Sequence, residues 1–147
     1  IQTFSKGRNI DFTTISIGLE SKRKNDYMKL EKLADYLGAN CIHINSDQRK
    51  QLHLAAVLVN NFPNYLYAEA EGLCIEQGLS FELLKPLLHE TVSQLGQLRP
   101  SEAQTGPAVR YDKKTIKQHL RLLNKPHLKS IYKLLTNEIQ KKYGKQL

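Results

Sequence analysis

Cysteine is scarce in this sequence, and long apolar runs are absent. The two cysteines, Cys41 and Cys74, cannot form a disulfide framework and lack the CxxC or Cys/His spacing of a metal site. Both stand among apolar residues, so we expect two buried free thiols, no bound metal and a reducing, cytoplasmic compartment. No stretch approaches the roughly 18 uninterrupted apolar residues of a membrane span, so no membrane segment is expected.

Recognisable catalytic and nucleotide-binding motifs are also missing. The eight glycines are dispersed and form neither G-x-G-x-x-G nor a Walker A loop, and HExxH and GxSxG do not occur. Serine, histidine and acidic residues are present, but no spacing among them marks a catalytic triad. Composition and motifs alone therefore assign no reaction.

The composition is that of an ordinary globular protein with an excess of basic residues at one end. The chain has 147 residues, 40% hydrophobic and 24% charged, with a net charge of +8. Residues 113–147 carry ten basic residues and one acid, Glu138. A basic segment can attract the phosphates of nucleic acid or of a cofactor. Because these lysines alternate with apolar residues at helical spacing and no aromatic stacking series accompanies them, we favour a solvated helix face over nucleic-acid binding.

Hydrophobic periodicity predicts a mostly helical protein with a small α/β part. In residues 1–45, a strand over 12–19, a helix over 24–37 and a strand over 40–44 form the unit of a parallel sheet. Two strands do not make a stable sheet alone, so this part reads as the end of a larger α/β domain. Residues 46–147 read as a helical domain. Its helices are expected from Ser46 or Asp47 to about Gln77, from Ser80 to Gly96, from Asp112 to about Leu123, and from Pro126 to Gly144.

The long helix is unusually apolar. Its middle, residues 52–59, is apolar on every side except at His53, so we expect it to be buried all round, and we expect Pro63 to kink it. A helical domain this small cannot cover such a helix by itself. A homodimer through the helical domain is therefore predicted.

Two polar features stand out from this background. Arg49, His53, Ala56, Asn60 and Asn64 are three or four residues apart and would share one helix face. That face is either a structural polar stripe or the wall of a cleft, in which the near-neutral pKa of histidine would suit His53 to proton transfer. The second feature is Thr105-Gly106-Pro107 followed by Arg110, which is either an ordinary connection between helices or a loop that binds an anionic group.

Three segments of the sequence carry a resemblance to one family. They are Ile1-Gln2-Thr3-Phe4-Ser5, His53-Leu54-Ala55-Ala56-Val57 with Asn60, and Thr105-Gly106-Pro107 with Arg110, Asp112, Thr115 and His119-Leu120. Taken together, these segments resemble the Rossmann-like proteins that end in a DUF2520 domain, which are distant relatives of pyrroline-5-carboxylate reductase, 6-phosphogluconate dehydrogenase and coenzyme F420-dependent NADP oxidoreductases. Two positions depart from the family pattern: Tyr111 stands where glycine is common, and Val59 stands before Asn60 where serine is expected.

The resemblance implies a two-part oxidoreductase acting on a small-molecule substrate. Residues 1–45 would be the last strands of an NAD(P)-binding Rossmann domain, and 46–147 a 6-phosphogluconate dehydrogenase C-terminal-like domain for dimerisation and substrate binding. The glycine-rich phosphate loop would precede Ile1, so this chain alone is not expected to bind NAD(P) tightly. In that arrangement His53 and Asn60 are the catalytic candidates, and the substrate-binding candidates are Gln2, Thr3, Thr105, Gly106 and Arg110. The alternatives are a non-catalytic dimeric scaffold and, ranked below it, a nucleic-acid-binding helical module.

Overall fold

The computed structural model describes residues 9–144. Two of the predicted substrate-binding residues, Gln2 and Thr3, lie outside this range. The chain divides after Ala68 into two compact units, and each is described by itself. The predicted boundary between domains at residues 45/46 is a different division and stays a prediction.

The first unit opens with the predicted strand–helix–strand arrangement. Strand β1 (Ser16–Leu19), helix α1 (Lys24–Tyr36) and strand β2 (Asn40–His43) follow in order, and the two strands pair in parallel with Ile17 opposite Cys41. Gly38 ends α1 at a φ of 71°, a left-handed conformation that glycine adopts without steric cost. The two described strands and the prevailing helix confirm the predicted fold class.

The predicted first strand was too long at its beginning. Residues Phe12–Thr14 form a 3₁₀ turn instead, although they are rich in β-branched and aromatic side chains. The reason is Asp11, whose carboxylate accepts hydrogen bonds from the Thr13 backbone N–H at 3.0 Å and from the Thr13 hydroxyl at 2.6 Å. Such local capping competes with the pairing of an extended strand.

The long helix is present, and it contains one widened turn. Helix α2 (Ser46–Ala56) leads into a π-helical segment (Val57–Asn61) and then into helix α3 (Phe62–Glu76). The cap is Asn45, one residue before the predicted Ser46. Its side chain accepts from the Gln48 N–H at 2.8 Å, and Gln48 accepts in return from the Asn45 N–H, which together form a capping box.

Pro63 does not end this helix. The π turn lies directly before it, where the Phe62 N–H donates to the Val57 carbonyl five residues earlier. Since proline has no N–H to donate, the usual bond at this position is lost in any case. The wider turn accommodates the proline ring and the missing hydrogen bond, and the helix continues to Glu76.

The second unit contains the remaining helices. A 3₁₀ turn (Phe81–Leu84) capped by Ser80 leads into α4 (Lys85–Gln94). After a loop, α5 (Lys113–Leu122) begins at the predicted cap Asp112, which accepts from the Thr115 N–H at 3.0 Å. Helix α6 (Pro126–Tyr143) follows, with proline at its first position.

The described chain buries few side chains. Its buried apolar residues are Leu19, Ala34, Ala39, Ala108, Leu123 and Leu128. The expectation that residues 52–59 are buried all round is wrong for this single chain, because Leu54 is 55% and Val59 77% exposed. The two cysteines are free, as expected, but half-buried and not buried. Partial burial still raises the pKa of the Cys41 thiol above its usual value.

Tyr111 takes a backbone conformation that rarely suits it. Its φ of 51° is in the left-handed region, at the position where the resemblance leads one to expect glycine. A hydrogen bond to the end of α6 helps to offset the cost of this backbone conformation: the Tyr111 hydroxyl donates to the Gln140 carbonyl at 3.2 Å. The ring lies against Gly144, where a Cβ would overlap it. Gly144 therefore serves close packing.

We expect Gly144→Ala to lower the stability of the protein by about 1–3 kcal/mol, because the added methyl would meet both the Tyr111 ring and the Gln140 carbonyl. Gly72→Ala is the matched control. A Cβ there would make only an ordinary contact, at 3.5 Å from Lys125 Nζ, and alanine favours the helix by up to about 1 kcal/mol. Thermal unfolding of both variants checks this contrast, and equal stability of the two would contradict the packing described.

Candidate functional site

His53 and Asn60 lie on the long helix of the first unit. His53 is near the end of α2, and Asn60 is inside the π turn. Both side chains are exposed, and neither makes a hydrogen bond with a described residue. They are flanked by exposed apolar side chains, including Leu54, Leu58 and Val59. Within residues 9–144, His53 therefore does not belong to a buried polar network, and its ring nitrogens are available to a ligand.

The π turn changes which residues share the face of His53. One extra residue in a turn rotates everything beyond it by about 100° relative to an uninterrupted α-helix. By this argument Asn60, inside the turn, and Asn64, beyond it, are both rotated relative to the face that an uninterrupted α-helix would give them. The one weak signal for this turn in the sequence is Pro63, two residues after it. Turns of this kind occur often at functional sites.

The first member of the predicted stripe, Arg49, has a structural role. Its guanidinium donates to the Glu20 carboxylate at 2.9 Å, and the Ser46 hydroxyl donates to the same carboxylate at 2.8 Å. These contacts join the end of β1 to the start of α2. The Ser46 hydrogen bond, with the charge of Arg49, lowers the pKa of Glu20 below its usual value.

Thr105, Gly106 and Arg110 lie together in the loop before α5, in the second unit. Gly106 has a φ of 108°, a conformation that excludes most other residues, and Thr105 and Arg110 are exposed. Arg110 forms no ion pair within 4 Å in the described part of the chain. The nearby Asp112 is occupied by Thr115, whose backbone and hydroxyl hydrogen bonds are the main reason that the pKa of Asp112 is lowered, with Arg110 adding a smaller effect.

His119, which matches the family-like segment, has a partner. Its Nδ1 lies 2.8 Å from the Tyr132 hydroxyl, and the two rings meet edge to face at 5.8 Å. Burial raises the pKa of Tyr132 above its usual value. This pair joins α5 to α6, so the structure gives His119 a structural role.

The structure thus describes two separate groups of predicted site residues. His53 and Asn60 belong to the first unit, and the Thr105–Arg110 loop belongs to the second. That they line one cleft, together with Gln2 and Thr3, stays a prediction.

The described βα turn does not fit the diphosphate of a dinucleotide. The turn from β1 into α1 runs through residues 20–23 and contains no glycine, and the residue before α1 is Arg23, which makes no capping bond. The Glu20 carboxylate stands at the end of β1, where it would repel a phosphate. Nothing in this turn supplies the close backbone approach that phosphate binding needs.

Within residues 9–144, no three His, Cys, Asp or Glu side chains are grouped so as to hold a metal ion. No described helix has both the length and the apolar character needed to cross a bilayer.

The chain is similar to one protein family and to proteins of known structure. The model of the domain of unknown function DUF2520 matches residues 15–139. The crystal structure of a "putative NADP oxidoreductase" from Bacteroides fragilis superposes with a TM-score of 0.90 at 41% sequence identity. That match covers 96% of this chain and 55% of the other, so the chain spans about half the length of that protein. No curated protein matches the chain.

Proposed function

The chain belongs to the DUF2520 family, and from this membership and the exposed polar groups described above we propose that it is the C-terminal part of an NAD(P)-dependent oxidoreductase. In this proposal the helical part supplies the dimer interface and the substrate side of the cleft. The substrate is a small molecule with a carbonyl group and an anionic group.

One observation carries the proposal: nearly the whole chain superposes on a protein named for NADP oxidoreductase activity, at an identity well above that of a shared fold alone. Because the described βα turn does not fit a dinucleotide, the proposal assigns the cofactor, which would supply hydride chemistry, to a part of the protein outside these residues.

The proposed roles follow from side-chain chemistry. His53, exposed and without a partner in the described residues, would exchange a proton with the substrate at one of its ring nitrogens. Asn60 would orient a carbonyl or a water molecule. Arg110 would bind the anionic group through its planar guanidinium, with Thr105 and Gly106 beside it. Gln2 and Thr3 are proposed for the opposite wall.

The proposed homodimer is supported by the apolar surface of the long helix. Leu54, Leu58, Val59 and Phe62 are all more than half exposed, and monomeric proteins rarely leave so many neighbouring apolar side chains in water. A second copy of the chain, related by two-fold symmetry, is the commonest way to cover such a face.

A non-catalytic dimeric scaffold is the second candidate. The same apolar face supports it, since covering that face requires no catalysis. Cofactor binding and turnover distinguish the two candidates.

We expect the complete protein to bind NADPH with a Kd in the micromolar range, that is about −8 kcal/mol. We also expect it to oxidise NADPH with at least one member of a panel of small carbonyl compounds that carry a carboxylate or phosphate. Nicotinamide fluorescence measures both. The 147-residue chain alone is the control and should bind NADPH far more weakly. NADPH binding without turnover on any panel member would favour the scaffold, and absence of binding would refute the oxidoreductase.

A further inference from the structure

A cleft in the second unit brings four basic side chains together. It lies between α5 and α6 beside the end of the preceding loop, with a volume of about 790 Å³. Small-molecule sites in proteins usually have volumes of about 300–1,000 Å³. Four cations line this cleft, and no acidic side chain does. We call it the cationic cleft; its cations are Arg110, Lys113, Lys117 and Lys133.

The four cations make no ion pair within 4 Å with a carboxylate of residues 9–144, although the charge of Arg110 acts weakly on Asp112. Lys50, Lys85 and Lys141, by contrast, each pair with an acid three residues earlier. The nearest acid, Asp112, is held by Thr115 through a 3.0 Å bond to the backbone and a 2.7 Å bond to the hydroxyl. Like charges gathered without a counterion repel one another, and a bound anion would remove that repulsion.

The four cations come from three segments of the chain and line the same cleft. Lys113 and Lys117 are one turn apart on α5 and so share a face. Lys133 approaches from α6, and Arg110 from the loop. Cations from three segments therefore surround one volume, which a solvated face of a single helix would not produce.

The rest of the lining combines apolar and aromatic side chains with the uncharged polar side chains of Thr136, Asn137 and Gln140. Ile116 and Leu120 lie on α5 next to the lysines, and Tyr132 contributes from α6. These side chains would contact the uncharged body of a ligand while the cations bind its charged group. A free inorganic ion would contact the cations but would leave the apolar side chains of the cleft without a partner.

We propose that the cationic cleft binds a small organic phosphate, a monoester with a ring or apolar body. Arg110 is also proposed above to bind the anionic group of the substrate, so in that residue the inference rests on the proposed function, but its test measures binding alone and does not require the protein to be an oxidoreductase. A nucleic-acid strand is the competing occupant of a basic surface. A lining that combines cations with apolar side chains favours the small molecule, since strand binding uses a series of stacking aromatic rings.

The test uses calorimetric titration of the complete protein with phenyl phosphate as the probe, at low salt. We expect saturable 1:1 binding that weakens with added salt, and weaker binding of inorganic phosphate. The double variant Lys117→Gln/Lys133→Gln should bind phenyl phosphate about tenfold more weakly or worse, because two charge-assisted contacts are lost. Without ligand it should unfold at the same temperature or slightly higher, because repulsion is relieved.

Lys141→Gln is the matched control. Lys141 is on the same helix but is paired with Glu138 and does not line the cleft, so phenyl phosphate affinity should change less than about twofold, as for surface charges. Absence of phenyl phosphate binding, or an equal loss in the control, would overturn the proposal. So would equal affinity for inorganic phosphate, or a short single-stranded oligonucleotide that binds more tightly and displaces the probe.

Discussion

Replacing His53 by glutamine in the complete protein should lower NADPH-dependent turnover by about a hundredfold to ten-thousandfold, the usual contribution of a general acid or base. Glutamine keeps the approximate size and hydrogen-bonding capacity of histidine but cannot exchange a proton near neutral pH. The reaction rate should therefore fall while substrate affinity changes little. The measurement is kcat and KM with the most active compound of the carbonyl panel.

Stability should be unaffected by this substitution. His53 is exposed and makes no hydrogen bond within residues 9–144, so its replacement should change the free energy of unfolding by less than about 0.5 kcal/mol. His89→Gln is the matched control, since His89 is an exposed histidine on α4 that belongs to no proposed site. Unchanged turnover in the His53 variant would refute the catalytic role. Earlier unfolding with intact affinity would make His53 a structural residue.

The second large effect is expected at the dimer interface. Val59→Glu combined with Phe62→Glu should convert the protein from a dimer to a monomer at tens of micromolar, roughly the range in which such interfaces are studied. Val59 is 77% and Phe62 57% exposed in the single chain, and the two lie three residues apart on the long helix. Burying two unpaired carboxylates costs several kcal/mol, enough to weaken association by about a thousandfold.

Light scattering coupled to gel filtration measures the change in mass. Tyr36→Glu is the control: Tyr36 is 87% exposed but lies on α1, outside the predicted interface, so this variant should remain a dimer. A wild-type protein that is monomeric at these concentrations would refute the dimer. Dissociation of the Tyr36 variant as well would show that the interface lies elsewhere.

Sequence patterns predicted the elements whose causes are local. Gly38 and Gly78 end helices at positive φ, because glycine adopts the left-handed conformation without steric cost. Asp112 caps α5, because its side chain accepts a hydrogen bond from a free N–H in the first turn. The parallel pairing of β1 with β2 followed from the helix between them. The prediction of the first strand was wrong at its beginning, because the hydrogen bonds of Asp11 stabilise a 3₁₀ turn at Phe12–Thr14 in place of extended backbone.

The candidate site was only partly predictable. The sequence indicated His53, Asn60 and Arg110 by residue type and spacing. It could not show that His53 is exposed and makes no hydrogen bond within residues 9–144, because exposure depends on what packs against the helix. Nor could it reveal the π turn that moves Asn64 off the predicted face, since that turn results from a shifted hydrogen bond and not from a distinctive residue.

By itself, the sequence determined the helical character of the chain, the parallel strand pair and the excess of basic residues after position 112, because these follow from periodicity, capping and composition. Only the tertiary structure decided where that charge gathers. Lys117 and Lys133 are 16 residues apart in sequence, and the packing of α5 against α6, held by the bond between His119 and Tyr132, brings them to one cleft. Packing between helices depends on matched shapes across long sequence separations, which no local pattern encodes.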